Sequence, residues 1–151
     1  MHDITKYQDE PFSTFQAAEL LGMGEHKPQV VAWVRRHIRP YAIDKTSPKK
    51  KIIKLDLINI FELFVIKTLT NYNIRLGFIG DMLSRKQITQ LFHVDNSDYI
   101  IIVGGALFIS ERPMMFLKRT GSGSASIIID VRKIKQEIAM AINRVNTCFQ
   151  G

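Results

Sequence analysis

Cys148 is the only cysteine, which excludes an internal disulfide and any metal site built from clustered thiolates. Long apolar runs are also missing. The uncharged stretch from Tyr99 to Ile109 is too short, and too broken by glycine, for the roughly 20 residues that a bilayer-crossing helix needs. The opening MHDITKYQDE is polar, so no secretory leader is expected there. His2, His26, His37 and His93 stand at no metal-ligand spacing, and no nucleophile and base are spaced as a catalytic pair. Glu62 is a carboxylate inside an apolar segment, expected to meet Lys67 or Arg75. These absences lead us to expect a soluble, cytoplasmic protein that is not an enzyme and uses no metal, cofactor or membrane.

Apolar residues make up 46% of the 151, enough to bury a core in one domain or two small ones. Acidic residues, by contrast, are nearly absent from one stretch. Between residues 27 and 54, Lys27, Arg35, Arg36, Arg39, Lys45, Lys49, Lys50, Lys51 and Lys54 are opposed by Asp44 alone. That stretch carries +8, and with a net charge of +7 the rest sums to −1. One basic patch on a near-neutral body fits a phosphate-backbone binder, and it also fits a solvated basic face.

The order of elements around the patch sharpens this reading. In FSTFQAAELLG, Ser13 and Gln16 form a capping box, Ala17, Leu20 and Leu21 share a face, and Gly22 ends the helix. After the GMGE turn, HKPQVVAWVRRHI predicts a second helix with Pro28 in its first turn. Val30, Val31, Val34 and Ile38 point inward with Trp33 beside them, while Lys27, Gln29, Arg35, Arg36 and His37 face elsewhere. Two short helices on a glycine-bearing turn, the second one basic, form a helix-turn-helix pattern. Pro40 stops the second helix. Tyr41–Ile43 and Lys51–Ile53 then flank a turn at Asp44–Pro48, a cationic hairpin that reads as a wing. A nuclear import signal at SPKKK is the competing reading. Asp56 caps a third helix, LINIFELFVIKTLTNY, apolar on nearly every side. IRLGFIGDMLSRKQI predicts a fourth, with Ile74, Phe78, Ile79, Met82 and Leu83 inward, and QLFHVDNSD breaks toward strands.

Over Pro11 to Ser84 this order resembles the MerR-type winged-helix regulators. FSTFQAAELLG supplies Ser13, Gln16 and Ala18 at the family's cap and small-residue positions. VVAWVRRHIRP places Trp33 at its aromatic position, and Asp56 and Leu57 open the third helix. The resemblance implies a winged helix-turn-helix that binds double-stranded DNA. Three features depart from it: KKIIK stands where the wing usually has arginine and tyrosine, His37 stands where glycine is usual, and no long dimerisation helix follows the fourth. Metal sensing is therefore not implied.

In the second half, YIIIV reads as a strand and ALFIS as a second strand or a bend. PMMFLKRT and ASIIIDV around GSGS read as a hairpin, since a phosphate loop at KRTGSGS would need a helix to follow it. VRKIKQEIAMAINRVNTCF is an amphipathic helix. Val131, Ile134, Ile138, Ala141 and Val145 recur at heptad steps, which suits either packing on its own sheet or pairing with a second copy.

The expected fold class is α+β: an N-terminal winged helix-turn-helix followed by a small antiparallel β-sheet with a C-terminal helix. The expected division is an arm at 1–11, a DNA-binding domain at 12–93 and a dimerisation domain at 94–151. Lys27, Gln29 and Arg35 are expected on base edges, with Arg36, Arg39, Lys45, Lys49, Lys50 and Lys51 on phosphates. The dimer is expected through the α-helical stripe Val131, Ile134, Ile138, Ala141 and Val145. The function expected is a homodimeric, sequence-specific, nucleoid-associated transcription regulator. The alternatives are a DNA-architectural or excisionase-like factor, and an adaptor that grips a protein such as RNA polymerase.

Overall fold

The computed structural model describes residues 11–38, 42–44, 52–93, 98–103, 106–114 and 126–149. Helix α1 spans Thr14–Leu20 and starts at the expected capping box. The Gln16 N–H donates to Ser13 Oγ at 3.1 Å, and the Ser13 N–H donates to Gln16 Oε1 at 2.8 Å. The helix ends on Gly22, whose φ of +69° lies in the left-handed region. The Met23 N–H donates to the Ala18 carbonyl at 2.8 Å and the Gly22 N–H to the Glu19 carbonyl at 3.0 Å, the paired bonds of a Schellman turn. The Lys67 ammonium donates to the Leu21 carbonyl and satisfies another acceptor at this helix end.

A 3₁₀ turn, Gly24–His26, leads into α2, Lys27–His37, with Pro28 in its first turn. Val30, Trp33 and Val34 are buried, as is Ile38 just beyond the helix, while Val31 is only half-buried. The indole, expected beside the stripe, is thus within it. Strands β1 (Ala42–Asp44) and β2 (Ile52–Lys54) pair antiparallel, Ala42 facing Lys54 and Asp44 facing Ile52. Phe12 and Leu55 extend this small sheet, each N–H donating to the other's carbonyl at 2.8 Å. The hairpin is thereby tied to the start of α1.

Helix α3, Leu57–Asn71, opens on a second capping box. The Asn59 N–H donates to Asp56 Oδ1 at 2.8 Å and the Asp56 N–H to Asn59 Oδ1 at 2.9 Å. Leu57, Ile60, Phe61, Leu63, Phe64, Val65, Ile66 and Leu69 are all buried, so α3 is covered on most of its circumference, as its composition predicts. It ends at Asn73, φ 61°, with the Ile74 N–H donating to the Leu69 carbonyl at 3.2 Å.

The next segment differs from the single helix expected. It splits into α4, Leu76–Met82, and α5, Arg85–His93. A second Ser-x-x-Gln pair, after Ser13 and Gln16, causes the break. The Ser84 N–H donates to Gln87 Oε1 at 2.9 Å, and the Gln87 N–H to Ser84 Oγ at 3.2 Å, which starts a new helix at SRKQ. Helix α5 continues through Gln90–His93, which had read as a break, because Leu91 and Phe92 bury their side chains. The Phe92 ring meets Phe61 of α3 at 5.8 Å.

Strands β3 (Tyr99–Val103), β4 (Ala106–Ser110) and β5 (Ser126–Asp130) form an antiparallel sheet in the order β4-β3-β5. Both outer strands align on β3: Ile101 faces Phe108 on one side and Ile128 on the other. Among the described residues the ASIIIDV strand pairs with YIIIV, and the hairpin expected between it and PMMFLKRT falls outside the described residues. The GSGS turn and most of PMMFLKRT lie outside the described residues.

Helix α6, Val131–Phe149, follows β5 directly. Val131, Ile134, Ile138 and Ala141 are buried within the chain's own core, with Val145 packed against it. The helix contacts α3 and α1 as well as following its own sheet. The stripe expected to pair two copies is thus covered inside one chain. One core also runs across the expected 93/94 division, joining Ala17, Phe61 and Leu91 to Ile100, Ile129 and Ile138.

Ile138→Ala should cost about 2–5 kcal/mol, as expected for a large-to-small change in a packed core. It should lower the midpoint of one cooperative urea transition followed by circular dichroism, without giving a two-step curve. Gly22→Ala should cost about 1–2 kcal/mol, because a side chain is forced into the left-handed region. Gly24→Ala should cost less in the same assay, since its Cβ would meet only the movable Glu19 carboxylate, at 2.8 Å from Oε1.

Candidate functional site

Helix α2 has one buried side and one open side. Gln29, Ala32 and Arg36 recur at steps of three and four and so share a stripe. Gln29 and Arg36 are exposed and Ala32, between them, is half-buried. Arg35 is exposed beside this stripe. Lys27 is placed differently from Gln29, because residues two apart on a helix do not face the same way. Its ammonium sits over the exposed Phe15 ring of α1, 5.1 Å from the centroid. The structure thus brings Gln29 together with Arg36, which had been assigned to different contacts, and separates Gln29 from Lys27. Lys54 is exposed at the end of β2. Arg39, Lys45, Lys49, Lys50 and Lys51 lie outside the described residues.

Behind α2 there is a cavity of about 330 Å³ between the end of α2, the middle of α3, α4 and the start of α5. Val65, Ile66, Leu76, Ile79, Leu83 and Ile88 give it apolar walls. His37, Glu62, Ser84 and Arg85 supply the polar groups. The expected partners of Glu62 were Lys67 and Arg75, but the Lys67 ammonium is taken up by the Leu21 carbonyl. Arg85 is the basic group that acts on Glu62 instead.

Glu62 Oε2 is buried with no hydrogen-bond partner among the described residues. Burial pushes the Glu62 carboxyl up to about 7; Arg85 works against the rise, and Asp56 adds slightly to it. Sequence reasoning saw the oddity of a carboxylate in an apolar helix but not its surroundings. His37, Ser84 and Arg85 come from three other segments, and only the packing of α2 and α5 on α3 brings them to it.

No protein-family model matches the chain, and no curated protein sequence matches it.

The raised Glu62 carboxyl makes stability depend on pH. A carboxyl with a folded pKa near 7, against 4.5 unfolded, holds its proton more tightly when folded. Its contribution is fully present below about pH 4.5, declines as pH rises through 7, and is flat beyond that. We expect this one group to lower the unfolding free energy by on the order of 2–3 kcal/mol across that window. Urea unfolding at about pH 5 and about pH 8 measures the difference. Glu62→Gln should remove most of it and should raise the midpoint at the higher pH. An unchanged pH dependence in the variant would assign the effect to other groups.

Proposed function

We propose that this chain is a sequence-specific double-stranded DNA-binding regulator with a winged helix-turn-helix at its N-terminal end, of the kind it resembles in the MerR-type regulators. In this reading α2 enters the major groove and β1–β2 lies beside it as the wing. The observation that carries the proposal is the open stripe of α2. Gln29 and Arg36 are exposed on a helix whose other side is buried, within a stretch of net charge +8. Glutamine and arginine are the residue types that read adenine and guanine edges with paired hydrogen bonds, and α2 has a width that fits the groove. Ala32 leaves room for close approach between them. Arg39 and the lysines of the hairpin hold the phosphates.

A second reading is favoured by the burial of the α6 stripe within one chain. A chain that uses its apolar heptad stripe within its own core suits a DNA-architectural, excisionase-like role, in which several copies sit side by side and bend the duplex. Footprints distinguish the two readings: a pair of half-sites at fixed spacing supports the regulator, and a run of adjacent sites with marked bending supports the architectural factor.

Binding to duplex DNA should weaken steeply with salt, with a log–log slope of about −5 if about six phosphates are neutralised. Fluorescence anisotropy at several salt concentrations measures it, and a slope near zero removes the DNA-binding reading. Gln29→Ala should relax preference at one base position by about 1–3 kcal/mol. Replacing Lys49, Lys50 and Lys51 together by alanine should weaken all sequences alike and make the slope shallower. Unchanged nonspecific affinity in that triple variant would leave the loop as a linker or an import signal.

A further inference from the structure

The cavity behind α2 has a composition that an ordinary packing defect does not explain. Packing defects are lined by apolar atoms, whereas a void holding a carboxylate that lacks a partner invites a polar occupant. Glu62 Oε2 is such an atom. We propose that this cavity binds a small amphoteric molecule with an apolar body, of the hydrophobic α-amino-acid class, with its ammonium on Glu62 and its carboxylate toward Arg85.

Charge selects this class over simpler ones. Glu62 and Arg85 line the same cavity and act on each other electrostatically. A molecule with only a positive group would satisfy Glu62 but meet the guanidinium. A molecule with only a negative group would satisfy Arg85 but meet the carboxylate. A molecule carrying both signs on neighbouring atoms matches both. An ammonium brings three donors to the buried oxygen. The guanidinium has five donors in a planar fork, so it can accept a carboxylate in addition to the interactions it already makes. Residues on α3, α4 and α5, among them Val65, Ile66, Ile79 and Ile88, form the apolar part and suit a branched or aromatic side chain. At about 330 Å³ the space is in the range of small-molecule sites. Gly80 also lines the cavity, and a Cβ there would make an ordinary 3.7 Å contact with His37 Nδ1.

The proposal does not rest on DNA binding, because its readout is binding to the chain alone. The test is isothermal titration calorimetry of the full chain with leucine and with phenylalanine. Isoamylamine, which lacks the carboxylate, and isocaproate, which lacks the ammonium, are the single-charge controls. One of the two amino acids should bind, and the control matched to leucine should be weaker by about tenfold or more, the effect of losing one charged hydrogen bond. Glu62→Gln should weaken binding of the amino acid by a similar factor. Arg85→Met should weaken the amino acid while making isoamylamine bind no more weakly than before. The first change is isosteric and Arg85 is exposed, so both variants should keep the wild-type circular dichroism spectrum. No binding of either amino acid up to about 10 mM overturns the proposal. So does isoamylamine binding as tightly as leucine, which would mean that the negative group is not recognised. Unchanged affinity in a folded Glu62→Gln variant overturns it too, because the ligand would then sit elsewhere.

Discussion

Helices α4, α5 and α6 are arranged around helix α3. Its apolar residues cover most of its circumference, so it is stable only when surrounded. Phe92 of α5 meets its Phe61 ring, and α4 and α6 pack against it as well. Each buried aliphatic side chain on α3 contributes about 1.5–3 kcal/mol by leaving water. This is the source of the order imposed on a short neighbour such as α4, which at seven residues is too short to be stable as an isolated helix.

Two charged residues on this buried helix meet opposite fates. Lys67 reaches the end of α1 and donates to the Leu21 carbonyl, where a helix end lacks partners. It reinforces the Schellman turn at Gly22 and so helps to set the angle at which α2 leaves α1. Glu62 turns the other way and leaves one oxygen buried without a partner. A carboxylate kept in that condition sacrifices stability, and its raised proton affinity expresses the same cost. The first residue supports the frame that presents α2; the second lines the space behind it. His37, the last residue of α2, borders that space, so the open stripe and the cavity share one helix.

Much of the local structure was legible in the residues. Ser13 with Gln16, and Asp56 with its first turn, marked helix starts, because a side-chain oxygen three residues from an unpaired amide satisfies it whatever surrounds the helix. The same signal at Ser84 and Gln87 was present but was outweighed by the apolar periodicity running through it, and the single helix expected there is two. Trp33 and Val31 exchanged roles on α2 for a related reason: periodicity locates a face to within about one residue, and the neighbours then decide which side chain fills the space.

Long-range pairing was the part that the chain alone left open. The heptad steps of Val131, Ile134, Ile138, Ala141 and Val145 establish an apolar stripe without naming what covers it, since a mate helix and the chain's own core are equally apolar partners. The fold resolves this by setting α6 against α1 and α3. In the same way, its isoleucine run beside GSGS made SIIID a strand, but the backbone groups of any strand can pair with any other, and the choice of β3 as its partner belongs to the tertiary structure. By itself, then, the sequence determined the helix caps at Ser13 and Asp56, the left-handed end at Gly22, the buried character of α3 and the concentration of positive charge between residues 27 and 54. Tertiary structure decided the course of α6, the strand order and the company of Glu62. Caps and charge depend on neighbours within a few positions, whereas the others depend on segments far apart in the chain that meet only when the core closes.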